Sequence, residues 1–184
     1  MRDLDVRKAV RHRLDVLHAD DDDTRVIEEM GIWSASARID IAVVNGELCG
    51  FELKSARDNL KRLPGQEELY SQVFDRVTLV TAENHLEKSR EIVPEWWGIS
   101  IASMSCQGVE LDDEREPQEN PQLNPATLAR LLWRDEALEA LEVRNLDKGL
   151  RSKPVAILHD RLAELSLLDL KLEVRAALKR RVYN

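Results

Sequence analysis

Arg38-Ile-Asp-Ile-Ala-Val-Val-Asn-Gly-Glu-Leu-Cys-Gly-Phe-Glu-Leu-Lys54 is the stretch from which the rest of the chain can be read. Two alternating runs rich in β-branched residues flank Asn45-Gly46, the pattern of an antiparallel hairpin. Side chains on a strand point alternately to opposite faces, so each pairing register can be tested by the faces it makes. A two-residue Asn45-Gly46 turn would pair Val44 with Glu47, Asp40 with Phe51 and Ile39 with Glu52, mixing charge with bulk on both faces. A register shifted by one residue, for instance a three-residue loop with Gly46 left-handed in a G1 bulge, gathers Ile39, Ile41, Val43, Cys49, Phe51 and Leu53 on one face. Asp40, Glu52 and Lys54 then share the other.

That second face has a chemical reading. Two carboxylates on neighbouring strands can share a hard cation such as Mg²⁺, or Mn²⁺ in its place, which takes oxygen ligands and keeps several waters. Gly50, lacking a side chain, leaves room beside the acids. Lys54, two residues after Glu52, falls where an ammonium could meet a phosphate or position an attacking water. The same alternation also describes the wet side of a half-exposed hairpin, and the pattern alone leaves both readings open.

Outward from the hairpin, residues 3 to 18 place Leu4, Val10, Leu14 and Leu17 near helical spacing, which predicts an amphipathic helix. Asp20 to Asp23 end it as a solvated loop, since the alternating ligands of a calcium loop are missing. Strands are expected at Thr24 to Ile32, Val77 to Thr81 and Ile99 to Ser103, with helices from Pro64 to about Phe74 and around Asn84 to Ile92. The acidic stretch with Pro117, Pro121 and Pro125 reads as a linker. Beyond it, Ala126 to Trp133, Glu136 to Arg144, Val155 to Leu165 and Asp169 to Arg181 read as helices. The expected organisation is an α/β core at residues 1–110, a linker at 111–125 and a helical extension at 126–184.

The totals constrain function. The 184 residues allow one domain with a real core plus an appendage, and 43% hydrophobic with 34% charged residues is the composition of a soluble protein. No apolar run approaches a membrane span and the first residues lack a signal-peptide core, so a cytoplasmic protein with no membrane partner is expected. Cys49 and Cys106 have no Cys-x-x-Cys partner, which argues for buried, reduced thiols rather than a metal cluster. The four histidines show no ligand spacing, and no phosphate-binding glycine loop is present. The net charge of −8 opposes phosphate binding overall, but residues 125–184 hold twelve Lys and Arg against nine Asp and Glu, a balance of +3.

Asp40, eleven residues, then Glu52-Leu53-Lys54, within an order of helix, three strands, helix and strand, resembles the PD-(D/E)XK restriction-endonuclease-like superfamily. Glu-Glu-Met-Gly at 28–31, Ala-Arg-Ile-Asp-Ile-Ala-Val-Val-Asn-Gly at 37–46, Gly-Phe-Glu-Leu-Lys-Ser at 50–55, Arg-Leu-Pro-Gly-Gln at 62–66 and Val-Pro-Glu-Trp-Trp-Gly at 93–98 resemble a bacterial group called the sce7726 family, over nearly the whole chain. The resemblance implies a restriction-endonuclease-like core: a helix, a three-strand antiparallel meander, a helix and a strand. It implies a Mg²⁺- or Mn²⁺-dependent deoxyribonuclease in which Asp40, Glu52 and the Leu53 carbonyl hold metal and Lys54 is the catalytic lysine. It further implies an acid from the first helix or strand, for which Glu29 fits best and Glu28 serves if the strand bends, and a polar residue from the following helix, Gln66. Tyr70, one helical turn on, shares its face and reads equally as a core tyrosine. Ile39 stands where the superfamily's proline would.

The tail somewhat resembles a SAP-type helix-extension-helix module, which would place Arg144, Lys148, Arg151 and Lys153 on DNA phosphates. A helical cap burying Trp133, or a homodimer contact, is the plainer reading. Trp96-Trp97 reads as a buried anchor before a strand rather than a base-stacking platform. A non-cleaving binding protein that keeps the nuclease fold, or a protein-interaction module, is the alternative to the enzyme.

Overall fold

In the computed structural model, which describes residues 1–32, 37–106 and 108–182, Val44 pairs with Leu48, Val43 with Cys49, Ala42 with Gly50 and Ile41 with Phe51. The loop is therefore Asn45 to Glu47, and the shifted register holds. The left-handed glycine does not, because Gly46 is not among the residues with positive φ. Asn45 closes the turn instead: its Oδ1 accepts the Glu47 N–H at 3.0 Å and its own N–H donates to the Glu47 carbonyl at 3.0 Å.

Around the hairpin the chain runs α1 (Asp3–Leu17), β1 (Arg25–Ile32), β2 (Ala37–Val44), β3 (Leu48–Lys54), α2 (Leu63–Tyr70), β4 (Arg76–Ala82), a 3₁₀ turn at Glu83–His85, α3 (Leu86–Ile92), β5 (Gly98–Ser105) and β6 (Gly108–Arg115). The strands form a six-stranded sheet in sequence order. β1, β2 and β3 are antiparallel, β3, β4 and β5 parallel, and β5 and β6 antiparallel. The parallel steps require crossovers, which α2 and α3 supply. On one face Val6, Val10 and Leu14 of α1 pack on Ile41, Val43, Leu53, Val80 and Ala102, with Cys49 and Phe51 at the margin. The buried stripe of α1 thus differs from the expected one: Val6 joins it, while Leu4 and Leu17 are 58% and 70% exposed. Residues four apart share one helical face, and Leu4 and Leu17 lie off the line through Val6, Val10 and Leu14.

Gly50 also has a different use from the one expected. A Cβ there would lie 3.1 Å from Phe74 Cγ, so the space beside Gly50 is filled by a core ring.

The linker expectation fails at its start. Residues 108–115 are β6, an edge strand whose Val109 and Leu111 pack toward α1 and whose Asp113 accepts from Arg13 of that helix at 2.7 Å. Charge masked an alternation that the α1 side needs. The following residues are also integral: Gln118 donates its N–H to the Trp96 carbonyl at 2.8 Å. The buried Asn120 side chain donates to the Ser71 and Phe74 carbonyls, both at 2.7 Å. The chain divides into compact units at Met1–Pro121 and Gln122–Asn184, so the core extends beyond residue 110.

The second unit is helical, with α4 (Pro125–Ala129), α5 (Arg134–Glu142), α6 (Val155–Ala163) and α7 (Leu167–Arg180). Leu128, Ala137, Leu141, Leu158, Leu162, Leu170, Val174 and Leu178 are buried. Asn124 and Ser166 cap α4 and α7 by accepting main-chain N–H groups. Arg181, just past α7, donates Nε and Nη2 to the two oxygens of Glu136 at 2.7 and 2.6 Å, and its guanidinium lies 4.2 Å from the Trp133 ring centroid. Trp133 itself is 60% exposed rather than buried. Among the described residues no helix is long and apolar enough to cross a membrane. Both cysteines are free; Cys106 is exposed, not buried, because it sits in the β5–β6 turn, and burial pushes the Cys49 thiol up to about 12.

Candidate functional site

The site begins where β2 and β3 part. Their pairs stop at Ile41 and Phe51, although the register would next oppose Asp40 to Glu52. Buried backbone groups freed by such a divergence need partners. The Leu53 N–H finds Asp40 Oδ2 at 2.8 Å, and the Arg38 carbonyl finds the Tyr70 hydroxyl at 2.8 Å. Asp40 is thereby locked against β3. The N–H and carbonyl of a strand residue point to the same side, so the Leu53 carbonyl also faces the gap that holds Asp40.

Glu52 and Lys54 follow the parity of β3 onto the α2 side, where they are 2% and 3% exposed. The Lys54 ammonium ion-pairs with Glu52 Oε1 and donates to Gln66 Oε1 at 3.0 Å. Gln66 Nε2 donates to Glu52 Oε1 at 2.6 Å, and the Tyr70 hydroxyl lies 3.0 Å from Glu52 Oε2. Lys54 is therefore turned inward to its acid partner. Tyr70 fulfils both sequence readings, since it is fully buried, stacks on Trp97 with ring centroids 6.2 Å apart and still places its hydroxyl on the network. Trp96 and Trp97 are buried, as expected of an anchor.

Glu29 reaches the same place from β1, with φ of 52°. The β1–β2 register continues unbroken on either side of it, and Glu29, not Glu28, lines the site; Glu28 turns to Arg11, 3.6 Å away. Glu29, Asp40, Glu52, Leu53, Lys54 and Gln66 all border one polar cleft of about 380 Å³.

Sequence reasoning missed Arg7. From α1 it donates Nη1 to the Asp40 carbonyl at 2.9 Å and Nη2 to Asp40 Oδ1 at 2.8 Å, and Nη2 lies 2.7 Å from Glu29 Oε1. A signal was present: Arg7 and Arg11, four apart on one flank of a helix, meet the adjacent Glu29 and Glu28. Burial pushes the Asp40 carboxyl up against the opposing pull of the Leu53 N–H and Arg7. Burial likewise raises Glu52, against the pull of Lys54, and burial together with Glu52 raises the Tyr70 hydroxyl. Arg7 is held cationic, because Asp40, Asp3 and Glu29 outweigh its burial.

Among the described residues no three His, Cys, Asp or Glu side chains group as a metal site. Mg²⁺, however, is commonly held through one or two carboxylates with water completing its shell. Asp40, Glu52 and the Leu53 carbonyl offer the hard oxygens such an ion takes. Both Asp40 oxygens and Glu52 Oε1 accept hydrogen bonds from the chain itself, and Glu52 Oε2 shares the single Tyr70 hydroxyl proton with the Arg38 carbonyl, which holds the carboxylates in place.

The basic residues of the tail are arranged differently from the expectation. Arg144 pairs with Glu173 and lies 3.7 Å from Asp169, and Arg151 Nη2 is 2.7 Å from Glu142. Lys148 and Lys153 are exposed. Their segment is a series of turns, with Leu150 donating to Asp147 at 2.8 Å and Lys153 to Leu150 at 2.9 Å, rather than an extended strand.

Residues 3–184 match the family of Bacteriophage P4 protein cII. The chain belongs to the phage P4 cII family. Protein cII of Enterobacteria phage P4 is 45% identical over 60 residues, which are 33% of this chain and 23% of that relative, so the match spans about a quarter of the relative's length. Among solved structures, the SPO1766 protein of unknown function from Silicibacter pomeroyi is 20% identical, with 81% of this chain and 92% of that one covered and a TM-score of 0.43.

Proposed function

We propose that this member of the phage P4 cII family carries a restriction-endonuclease-like core of the PD-(D/E)XK kind and hydrolyses DNA phosphodiester bonds with Mg²⁺ or Mn²⁺. One observation carries the reading: Asp40, Glu52, Lys54 and Gln66 converge on one polar cleft, with the Glu52–Lys54 ion pair buried at its floor. Burying two charges costs several kcal/mol unless their geometry and hydrogen bonds compensate, so an ion pair opening on a cleft has a chemical rather than a packing rationale.

Asp40, Glu52 and the Leu53 carbonyl would hold the ion, which when bound acts as a Lewis acid toward a phosphoryl oxygen and lowers the pKa of its water. The chain's own residues supply the rest. Lys54 keeps a fixed positive charge beside the position of a bound phosphate, where preorganised charge stabilises a transition state best. Gln66 and Tyr70 orient Glu52, and Arg7 with the Leu53 N–H orients Asp40.

A DNA-binding protein that keeps the fold without cutting is the second reading, favoured by Arg7, which already neutralises Asp40 and Glu29. Incubation of the purified protein with linear, nicked, branched and single-stranded DNA, with Mg²⁺ or Mn²⁺, separates the two. Cleavage that is lost in Asp40→Asn and Glu52→Gln supports the enzyme. Intact DNA in every combination rejects it.

A further inference from the structure

We propose that the phosphate backbone of the bound nucleic acid runs through a groove beside the cleft, gripped by Arg38, Lys61 and Arg62, and not along the basic segment of the helical unit. The groove has a volume of about 560 Å³ and shares Ala37, Arg38, Arg62 and Gln66 with the cleft, so the two are one continuous depression. Their charge balances differ. Asp3, Glu29, Asp40, Glu52 and Asp58 outnumber Arg38, Lys54 and Arg62 around the cleft, whereas among the described residues the groove sets Arg38, Lys61 and Arg62 against Glu68.

A cation-seeking pocket opening into a phosphate-seeking groove is the charge order that a bound polyanion requires. A chain of net charge −8 can still grip phosphates, because that grip depends on cations at the contact. Lys61 and Arg62 are exposed, and Arg38 Nη1 lies 3.4 Å from Glu29 Oε2, at the junction of the two regions. The groove also borders Gly65, where an added Cβ would meet nothing within 4 Å, so a strand can approach the main chain there. The tail offers less: Arg144 and Arg151 are held by acids of their own unit.

The position of the scissile phosphate rests on the nuclease reading, while the grip itself is tested without cleavage. Fluorescence anisotropy in EDTA, with labelled single-stranded and duplex DNA oligonucleotides, compares Lys61→Glu/Arg62→Glu with Lys148→Glu/Lys153→Glu. The groove pair weakens binding by at least about tenfold and reduces the salt slope by about 1.5. The tail pair changes affinity by less than about twofold, as expected for residues off the path. A milder Lys61→Gln/Arg62→Gln variant, checked by circular dichroism, gives a smaller loss in the same direction. Loss of binding in the tail pair alone, unchanged binding in both pairs, or no DNA binding by the unaltered protein overturns the groove. Binding without cleavage rejects the nuclease reading and keeps the groove; undiminished cleavage by the groove pair does the reverse.

Discussion

The Arg7 guanidinium grips Asp40 at two atoms, the main-chain carbonyl at 2.9 Å and Oδ1 at 2.8 Å, and extends to Glu29 Oε1 at 2.7 Å. It is a resident cation among the acids that would receive a metal. Arg7→Met removes that charge, and Mn²⁺ titration of the DNA-free protein should then show about tenfold tighter binding, a modest part of the Coulomb energy between charges at this range. Without metal the same variant should lose about 2 kcal/mol in urea unfolding, the cost of its charged hydrogen bonds. Unchanged metal affinity would show that Arg7 positions Asp40 without competing for it.

Glu52 and Lys54 are buried together, so removing one strands the other. Glu52→Ala should destabilise the fold by about 3–5 kcal/mol, and Glu52→Ala/Lys54→Met should recover at least half of that loss. Urea melts of the singles and the double form the required cycle. An additive double variant would contradict the pairing. The same reasoning makes Glu52→Gln the better control for cleavage.

A Cβ added at Gly50 would lie 3.1 Å from the Phe74 ring, so the ring would have to give by a few tenths of an ångström. Gly50→Ala should therefore cost about 1–3 kcal/mol from overpacking, and adding Phe74→Leu should make the glycine substitution nearly neutral. Thermal melts of the four variants, the parent included, decide whether the clash is real.

Glu136 supplies the pH dependence. Burial pushes its carboxyl up, but Arg181 and the Trp133 N–H outweigh this and hold it below the ordinary carboxylate range. A lowered folded pKa means that the stabilisation is complete above the unfolded value of about 4.3 and fades as pH falls through the lower folded value. A carboxyl NMR titration should place the Glu136 midpoint below that of a model peptide, and Arg181→Met should move it upward. A midpoint indifferent to Arg181 would remove the pair from the account of acid stability.

Much of the core was legible because it depends on short-range rules. The alternation of Ile39, Ile41, Val43, Cys49, Phe51 and Leu53 keeps a face apolar only in registers of one parity, and the structure uses one of them. Gln66 and Tyr70 could be placed together because one turn of helix separates them, and both reach Glu52. The later part of β6, from residue 111, reads as linker because local charge says nothing of an edge strand whose Val109 and Leu111 meet α1.

The hairpin's parity, and with it the grouping of Asp40, Glu52 and Lys54, was therefore determined by the sequence alone, since a period of two leaves one choice once a face must be buried. Only the tertiary structure decided which charges those residues meet. Arg7 reaches Asp40 from 33 residues away, Lys54 turns inward to Glu52, and Arg144 and Arg151 serve acids of their own unit. The physical reason is range: an alternating pattern is carried by neighbours in the chain, whereas a charge's partner depends on which elements the packed core brings within a few ångströms.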